Sequence, residues 1–177
     1  MVGCTADANT LYFYGHDSPF SNFYPSNITI DGIQFNCVEQ AFFYKKSIYL
    51  GEPEIGAQIL AETQPAIQKK LGESFGQRDW GNPIKALTCM SCIVLEKFTQ
   101  NKYLAQILLK TGDKILAESN PHDKHWGIGL SAKDAITNGN SWPGNNVMGD
   151  ILSDVRKKIL ADTKSMPQIS SADIVSV

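Results

Sequence analysis

The hydrophobic positions along this chain change period several times, and each change marks an element. From Thr10 to Tyr14 the residues are aromatic and aliphatic and end at Gly15, which predicts a first short strand. Ile28-Thr29-Ile30 and Ile33-Gln34-Phe35 flank Asp31-Gly32, the strongest two-residue hairpin signal in the sequence. At Asn36, a good helix N-cap, the period becomes helical, and strong helix formers run to about Leu50 and stop at Gly51. Two short helices follow. One opens at Pro53 and is carried by Ile55, Ile59 and Leu60 to about Glu62; the other opens at Pro65, holds Ile67 and Leu71, and closes at Gly72. Asn82-Pro83 opens a long central helix, with Leu87, Met90, Val94 and Phe98 spaced for a buried stripe. Asn101 caps another, in which Leu104, Ile107 and Leu108 face inward and Thr111-Gly112 marks the stop. Lys114 to Ser119 reads as a short strand. Asn145 or Asn146 caps the last helix, with Met148, Ile151, Leu152, Val155 and Ile159 inward and Arg156-Lys157-Lys158 toward its C-terminus, where they complement the dipole.

Helices separated by a few short strands predict an α+β fold, predominantly α-helical, with an N-terminal hairpin. The expected organisation is an N-terminal extension over 1–9, a single domain over 10–161 and a flexible tail over 162–177. At 177 residues and 42% hydrophobic the chain can bury one sizeable core. Sixteen Lys and Arg against 18 Asp and Glu give a net charge of −2, and no dense basic run appears, which argues against tight sequence-independent binding along a nucleic-acid backbone. No apolar stretch approaches the roughly 20 residues that span a bilayer, and the first residues lack a basic segment followed by an apolar one. The expectation is an intracellular protein, cytoplasmic or nuclear, not secreted and with no membrane partner. The four cysteines include Cys89-x-x-Cys92, but these two fall inside an apolar helical pattern, and Cys4 and Cys37 stand apart. Core packing accounts for them better than zinc does. His122-x-x-His125 lacks a third ligand at metal-binding spacing.

Chemistry concentrates where the patterning breaks. The segment His16 to Ser26 mixes rings with small polar residues and prolines, and is expected to line a site in part. Gly76-Gln77-Arg78-Asp79-Trp80-Gly81 reads as a surface ion pair beside a half-buried tryptophan, or as a ligand contact. Asn120 to Gly129 displays Asp123, Trp126 and two glycines after a strand that ends in Glu118, and Gly127 and Gly129 permit close backbone approach. Asp134 to Asn145, rich in Gly and Asn, is expected to be a long mobile loop, the natural lid. The N-terminal amides of the last helix, beside Asn146 and Gly149, are a candidate anion site. On the first long helix Glu39 and Lys46 are seven residues apart, close to two turns, so both are expected to point into one cavity with Gln40 and Phe43 nearby. The competing reading of Asn36-x-x-Glu39 is a capping box, in which Glu39 only reaches back to the Asn36 amide.

Taken together, Phe20-Ser21-Asn22-Phe23-Tyr24, Gly32 with Glu39 and Lys46, Asp79-Trp80, Lys97-Phe98, Leu116-Ala117-Glu118, Asp123-x-x-Trp126-Gly127-x-Gly129, Asn146-x-x-Gly149 and Arg156 resemble the NADAR family, also called YbiA-like. The resemblance covers roughly residues 12 to 160. One departure is Gln40, where the family commonly has histidine. The resemblance implies an N-glycosidase with no metal and no redox cofactor. Some relatives act on phosphoribosyl intermediates of riboflavin synthesis, and others are ADP-ribosyl hydrolases that restore modified guanine in nucleic acid. Both substrates carry a phosphorylated five-membered sugar bonded through C1 to a base nitrogen.

Cleaving that bond requires protonation of a poor leaving group, stabilisation of a cation-like sugar and delivery of water, hence carboxylates. Glu39 is the expected acid–base residue, with Asp123 and Glu118 as further carboxylates. Lys46 is expected to hold Glu39 ionised, contact a phosphate, or attack C1 of a ring-opened sugar. Phe23, Trp80 and Trp126 are candidate base-stacking surfaces. Asn22, Gln40, Phe43, Gly127 and Gly129 are further substrate contacts, and Asn146, Gly149 and Arg156 are candidate phosphate or ribose ligands, with a structural ion pair as the alternative for Arg156. The expected partners are ADP-ribose or a ribosyl phosphate, and ADP-ribosylated nucleic acid. A module that grips such a ligand without hydrolysing it is the competing class.

Overall fold

A computed structural model describes residues 2–76, 78 and 80–165. Two strands come first: β1 (Cys4–Ala6) and β2 (Thr10–Phe13). The hairpin strands β3 (Ile28–Ile30) and β4 (Ile33–Phe35) pair in antiparallel register, Ile30 opposite Ile33. Asp31 and Gly32 between them both take positive φ, 52° and 78°, which is the backbone a tight two-residue turn between right-twisted strands needs. Five helices follow: α1 (Val38–Tyr49), α2 (Pro53–Ala61), α3 (Pro65–Glu73), α4 (Pro83–Gln100) and α5 (Lys102–Leu109). Then come β5 (Ile115–Glu118), a short α6 (Ala132–Thr137) and the long α7 (Val147–Ser165). The fold is α+β and mainly helical, as the patterning predicts. Residues 4–6 of the expected N-terminal extension are an edge strand of the sheet β1-β2-β5, in which β2 runs antiparallel to β1 and parallel to β5. The expected tail lies outside the described residues from 166 onward, and α7 continues to Ser165.

The core is one layer of helices against the small sheet. Met90, Ile93, Val94 and Phe98 of α4 and Met148, Ile151, Leu152, Val155 and Ile159 of α7 are all buried in it. Leu87 belongs to the expected stripe but is 42% exposed, because the first turns of α4 project past the bundle and only the later ones are covered. Asn82 caps α4, its Oδ1 accepting the Ile84 amide at 2.8 Å, with Pro83 in the first turn.

Two local expectations change. The cap of α1 is Cys37, not Asn36: the Cys37 Sγ accepts the Gln40 amide at 3.4 Å. Asn36 instead reaches sideways, donating to the Thr63 carbonyl at 3.0 Å and accepting from Gln68 Nε2 at 3.1 Å, so it fastens α1 to the α2–α3 connection. The expected lid is not a free loop either. Ser131 caps α6 by accepting the Asp134 amide, Ala135 is fully buried against Tyr12, Ala117 and Ile128, and the Tyr12 hydroxyl bonds to Asn140. Ala135, with Leu130, Ala132 and Trp142 packed beside it, docks a segment whose composition otherwise reads as coil.

Candidate active site

Five parts of the chain meet around a cavity of about 600 Å³: the first turns of α1, the C-terminal half of α3, the loop after β2, the loop after β5, and α4, which contributes Met90. Glu39, Phe42 and Phe43 come from α1, Lys69 and Glu73 from α3, Tyr14, His16, Asn22 and Phe23 from the first loop, and Glu118, Asn120, Asp123 and Trp126 from the end of β5 and beyond.

The two loops are held in place largely by backbone hydrogen bonds. The 15–24 loop is a run of turns, with Ser18, Ser21 and Tyr24 amides donating to Gly15, Ser18 and Ser21 carbonyls. Its far side is anchored twice: the Asn22 carbonyl accepts the Glu39 amide at 3.1 Å, and the Ser21 carbonyl accepts Lys97 Nζ at 2.8 Å. Lys97 is 1% exposed, lies between the Tyr24 and Phe98 rings, and burial brings its pKa down to about 7. The Asn22 amide nitrogen lies 3.6 Å from the Met90 sulfur and 3.7 Å from that of Met148. Its Oδ1 is buried with no hydrogen-bond partner among the described residues, an acceptor left for a ligand.

Glu118 is the last residue of β5, paired with Phe13 of β2. Its amide donates to Asn146 Oδ1 and its carbonyl accepts the Ile128 amide, so the backbone beneath the carboxylate is fixed on both sides. The Glu118 Oε2 is buried without a hydrogen-bond partner among the described residues. In the loop that follows, Asp123 Oδ1 accepts the amides of His125 and Trp126, each at 2.8 Å, which turns the chain so that Asp123 and the Trp126 ring both face the cavity.

The electrostatics follow from this crowding. Glu39 is 7% exposed; burial, and then the negative charges of Glu118, Glu73 and Asp123, raise its pKa to about 7 against the opposing pull of Lys69. Glu118 is also pushed up to about 7, by burial first and Asp123 next, with Lys69 again opposing. Burial thus lifts both carboxyls well above the usual carboxylate range, and the charge of Glu118 adds to the rise of Glu39.

Of the residues singled out from sequence, Asn22, Phe23, Glu39, Phe43, Glu118, Asp123 and Trp126 are brought together here. Glu39 does not reach back to the Asn36 amide; Gln40 does. The Gln40 Oε1 accepts the Asn36 amide at 2.8 Å and its Nε2 donates to the carbonyls of Ile59, Leu60 and Glu62, so Gln40 is a buried strut between α1 and α2 and not a substrate contact. Lys46 does not share the Glu39 cavity. Seven residues return a helix to nearly the same face but advance it about 10 Å, and Phe42 and Phe43 fill the intervening turn. Lys46 and Trp80 open instead into an adjoining cavity of about 520 Å³.

The remaining expected ligands are scaffold. Asn146, at a φ of 55°, bridges Glu118 and Leu116 with its side-chain amide, and a Cβ on Gly149 would overlap the Leu116 carbonyl. Arg156 donates to Thr111 Oγ1 at 2.6 Å and the Lys114 carbonyl at 3.0 Å, locking α7 to the turn before β5. The close approach at Gly127 is to its own chain, since a Cβ there would lie 2.8 Å from the Glu118 carbonyl oxygen; the Cβ of a residue at Gly129 would meet Lys124. The first amides of α7 are also spoken for. Those of Val147 and Met148, and of Asn145 and Asn146 just before it, donate to the carbonyls of His125, Trp126, Lys124 and Gly127, so carbonyls of this chain stand where an anion was expected. Asp79 lies outside the described residues. Cys92 is exposed, not core, and Cys89 is half-buried.

Lys69 and Glu73 were hidden in the sequence. Four residues apart on an exposed helix, 3.8 Å from each other, they look like an ordinary surface pair. The one available signal was Gly72: a Cβ there would run into the Phe43 ring, so α3 must lie close against α1, and Lys69 with it.

Comparison with known proteins agrees with this architecture. A family model described as the NADAR domain matches residues 12–160. The chain is 34% identical over 169 residues to Protein irg-1 of Caenorhabditis elegans, covering 84% of this chain and 79% of that one. It is 31% identical over 156 residues to N-glycosidase Npun_R5314 of Nostoc punctiforme, covering 85% and 92%. The NMR structure of the E. coli protein YbiA superposes with a TM-score of 0.74 at 20% identity, covering 96% of this chain and 95% of that one, a likeness of fold. With the match running from β2 almost to the end of α7, the chain belongs to the NADAR family.

Proposed function

We propose that this protein is an N-glycosidase that hydrolyses the bond between C1 of a ribose and a base nitrogen, with ADP-ribosylated guanine as its substrate. The reaction class follows from the family and from the named N-glycosidase among its relatives. The observation that carries the assignment to this cavity is the pair Glu39 and Glu118. They arrive from distant parts of the chain, Glu39 is buried and Glu118 half-buried with its Oε2 covered, burial lifts the pKa of each to about 7, and both face a space walled by Phe23, Phe42 and Trp126.

Glu39 in its protonated form gives its proton to the departing base nitrogen as the C1–N bond breaks. Glu118 and Asp123, as carboxylates, offset the positive charge that develops on C1 and the ring oxygen. A water then adds its oxygen to C1, one of its protons returns to the ionised Glu39, and the products are the free base nitrogen and a ribose with a C1 hydroxyl. Trp126 and Phe23 offer faces to the base, and the Asn22 Oδ1 accepts from a base N–H or a sugar hydroxyl. Lys69 opposes the rise in pKa of both Glu39 and Glu118.

The test is turnover by the wild type, Glu39→Gln and Glu118→Gln on an ADP-ribosylated guanine oligonucleotide, with release of ADP-ribose measured, beside the phosphoribosyl intermediates of riboflavin synthesis. Loss of at least about a hundredfold in kcat for Glu39→Gln is the size expected for removing a general acid. Full activity in both folded variants refutes the site. Turnover of the riboflavin intermediates alone refutes the guanine substrate but not the reaction class. Tight ADP-ribose binding with no turnover of either substrate makes the protein a binding module.

A further inference from the structure

We propose that Lys97, which is not one of the walls of the cavity, is a positioning residue for the reaction: its amine grips the Ser21 carbonyl and so sets the direction in which Asn22 presents its side chain beside Glu39. The inference rests on the reading of the Glu39 cavity as the catalytic site given above.

Asn22 lines that cavity, but its side chain is held only weakly. Its Nδ2 meets the sulfurs of Met90 and Met148 at 3.6 and 3.7 Å, both weak acceptors, and its Oδ1 is buried with no partner among the described residues. The direction of the side chain must therefore come from the backbone. A peptide unit is planar, so the Cα–Cβ bond of a residue is fixed once the two units that flank it are fixed. Both are held here from outside the loop. The Asn22 carbonyl accepts the Glu39 amide at 3.1 Å, and the Ser21 carbonyl accepts Lys97 Nζ at 2.8 Å, from a residue 76 positions away. The Tyr24 amide also reaches the Ser21 carbonyl, at 3.2 Å, but it belongs to the same turn and travels with it. Met90 and Lys97 lie close to two turns apart on α4, so one face of that helix supports Asn22 at its side chain and again at its backbone.

The core does not need this amine. Lys97 is 1% exposed, its Nζ lies 5.6 Å from the centroid of the Tyr24 ring and 5.2 Å from that of Phe98, and burial lowers its pKa to about 7. A charge costs free energy in such a place, and a methionine would occupy the slot between the two rings without it. What methionine lacks is an N–H. The lysine amine has one in either protonation state, so the hold on Ser21 survives titration. A carbonyl that also accepts from Tyr24 is not orphaned when the lysine is gone.

The experiment compares wild type with Lys97→Met, Asn22→Ala and the double variant, by urea unfolding, by amide hydrogen exchange, and by turnover of the two substrates named above. At about pH 6, where the burial penalty of the lysine is full, Lys97→Met is expected to be at least as stable as wild type. It is expected nevertheless to exchange the Glu39 and Tyr24 amides at least about tenfold faster, relative to amides in the middle of α7. Its kcat/KM is expected to fall at least about tenfold, and by less than about threefold where Asn22→Ala is already present, because the side chain it positions is gone. A Lys97→Met chain that is less stable than wild type, or does not fold, overturns the proposal, since the lysine then serves the core. Unchanged exchange overturns it whatever the turnover, and so does a kcat/KM that falls equally in both backgrounds or in neither. A wild type that turns over neither substrate refutes the reading of the site, and the exchange rates then decide by themselves whether Lys97 holds Asn22.

Discussion

Replacing Glu39 with Gln is expected to make the protein more stable and less active, and the gain is expected to depend on pH. Folding raises the Glu39 pKa from 4.5 to about 7, so between those values the folded state holds a proton that the unfolded state has given up. Stability is therefore lost as pH rises through that window. At 1.36 kcal/mol for each pK unit, the carboxylate weakens the fold by about 1 kcal/mol at pH 5 and about 3 kcal/mol at pH 8, where it is forced to ionise in a buried place beside Glu118. Glutamine keeps the shape and carries no charge at either pH. In a domain of this size a gain of that order raises Tm by about 6 to 12 °C at pH 8, and by only a few degrees at pH 5. The assay is thermal and urea unfolding of both proteins across that range, with the difference between them read at each pH. A difference that stays flat from pH 5 to 8, or a variant less stable than wild type at pH 8, would refute the claim that burial and neighbouring carboxylates strain this group.

Three other outcomes follow from the same geometry. Glu118→Gln removes a charge that raises the Glu39 pKa, so the alkaline limb of the wild-type kcat/KM profile should move to lower pH in the variant; an unmoved limb separates the two groups electrostatically. Gly149→Ala drives a Cβ into the Leu116 carbonyl and the Asn146 amide, neither of which can yield without breaking the support of Glu118, and a loss of about 2 kcal/mol or more is expected by urea unfolding. Lys97 releases its proton earlier in the folded state than in the unfolded one, so its burial penalty is full below about pH 7 and fades as pH rises to 10.5; wild-type stability measured relative to Lys97→Met should climb across that interval.

Local chemistry was legible in the sequence, and so were the elements it builds. Asp31-Gly32 takes the backbone its residue types favour, Gly51 ends α1 at a φ of 74°, and Asn82-Pro83 starts α4 as its side chains dictate. These signals act over a few residues and do not depend on what packs above them. The active-site half that lies on α1 and in the loop after Glu118 could be found for the same reason, since carboxylates and tryptophans gather where the periodicity stops. What could not be read is distance in space. Nothing near Lys69 says that α3 folds back across α1, and nothing near Lys46 says that two phenylalanines stand between it and Glu39. Asn146, Gly149 and Arg156 have the chemistry of ligands, but Asn146 is occupied by the Leu116 carbonyl 30 residues away, which also crowds Gly149, and Arg156 by the Thr111 hydroxyl and the Lys114 carbonyl, 45 and 42 residues away. The six residues of α6 were hidden because what docks them is a small cluster around Ala135 whose partners Tyr12, Ala117 and Ile128 lie elsewhere in the chain, and composition averages over it.

The carbonyls of residues 124 to 127 complete the first turn of α7, so the segment bearing Asp123 and Trp126 and the last helix are each the other's missing half. A nascent chain cannot position its tryptophan wall until that C-terminal helix has left the ribosome. A circularly permuted form that severs the chain between the two would be expected to keep most of its core while leaving the site unformed.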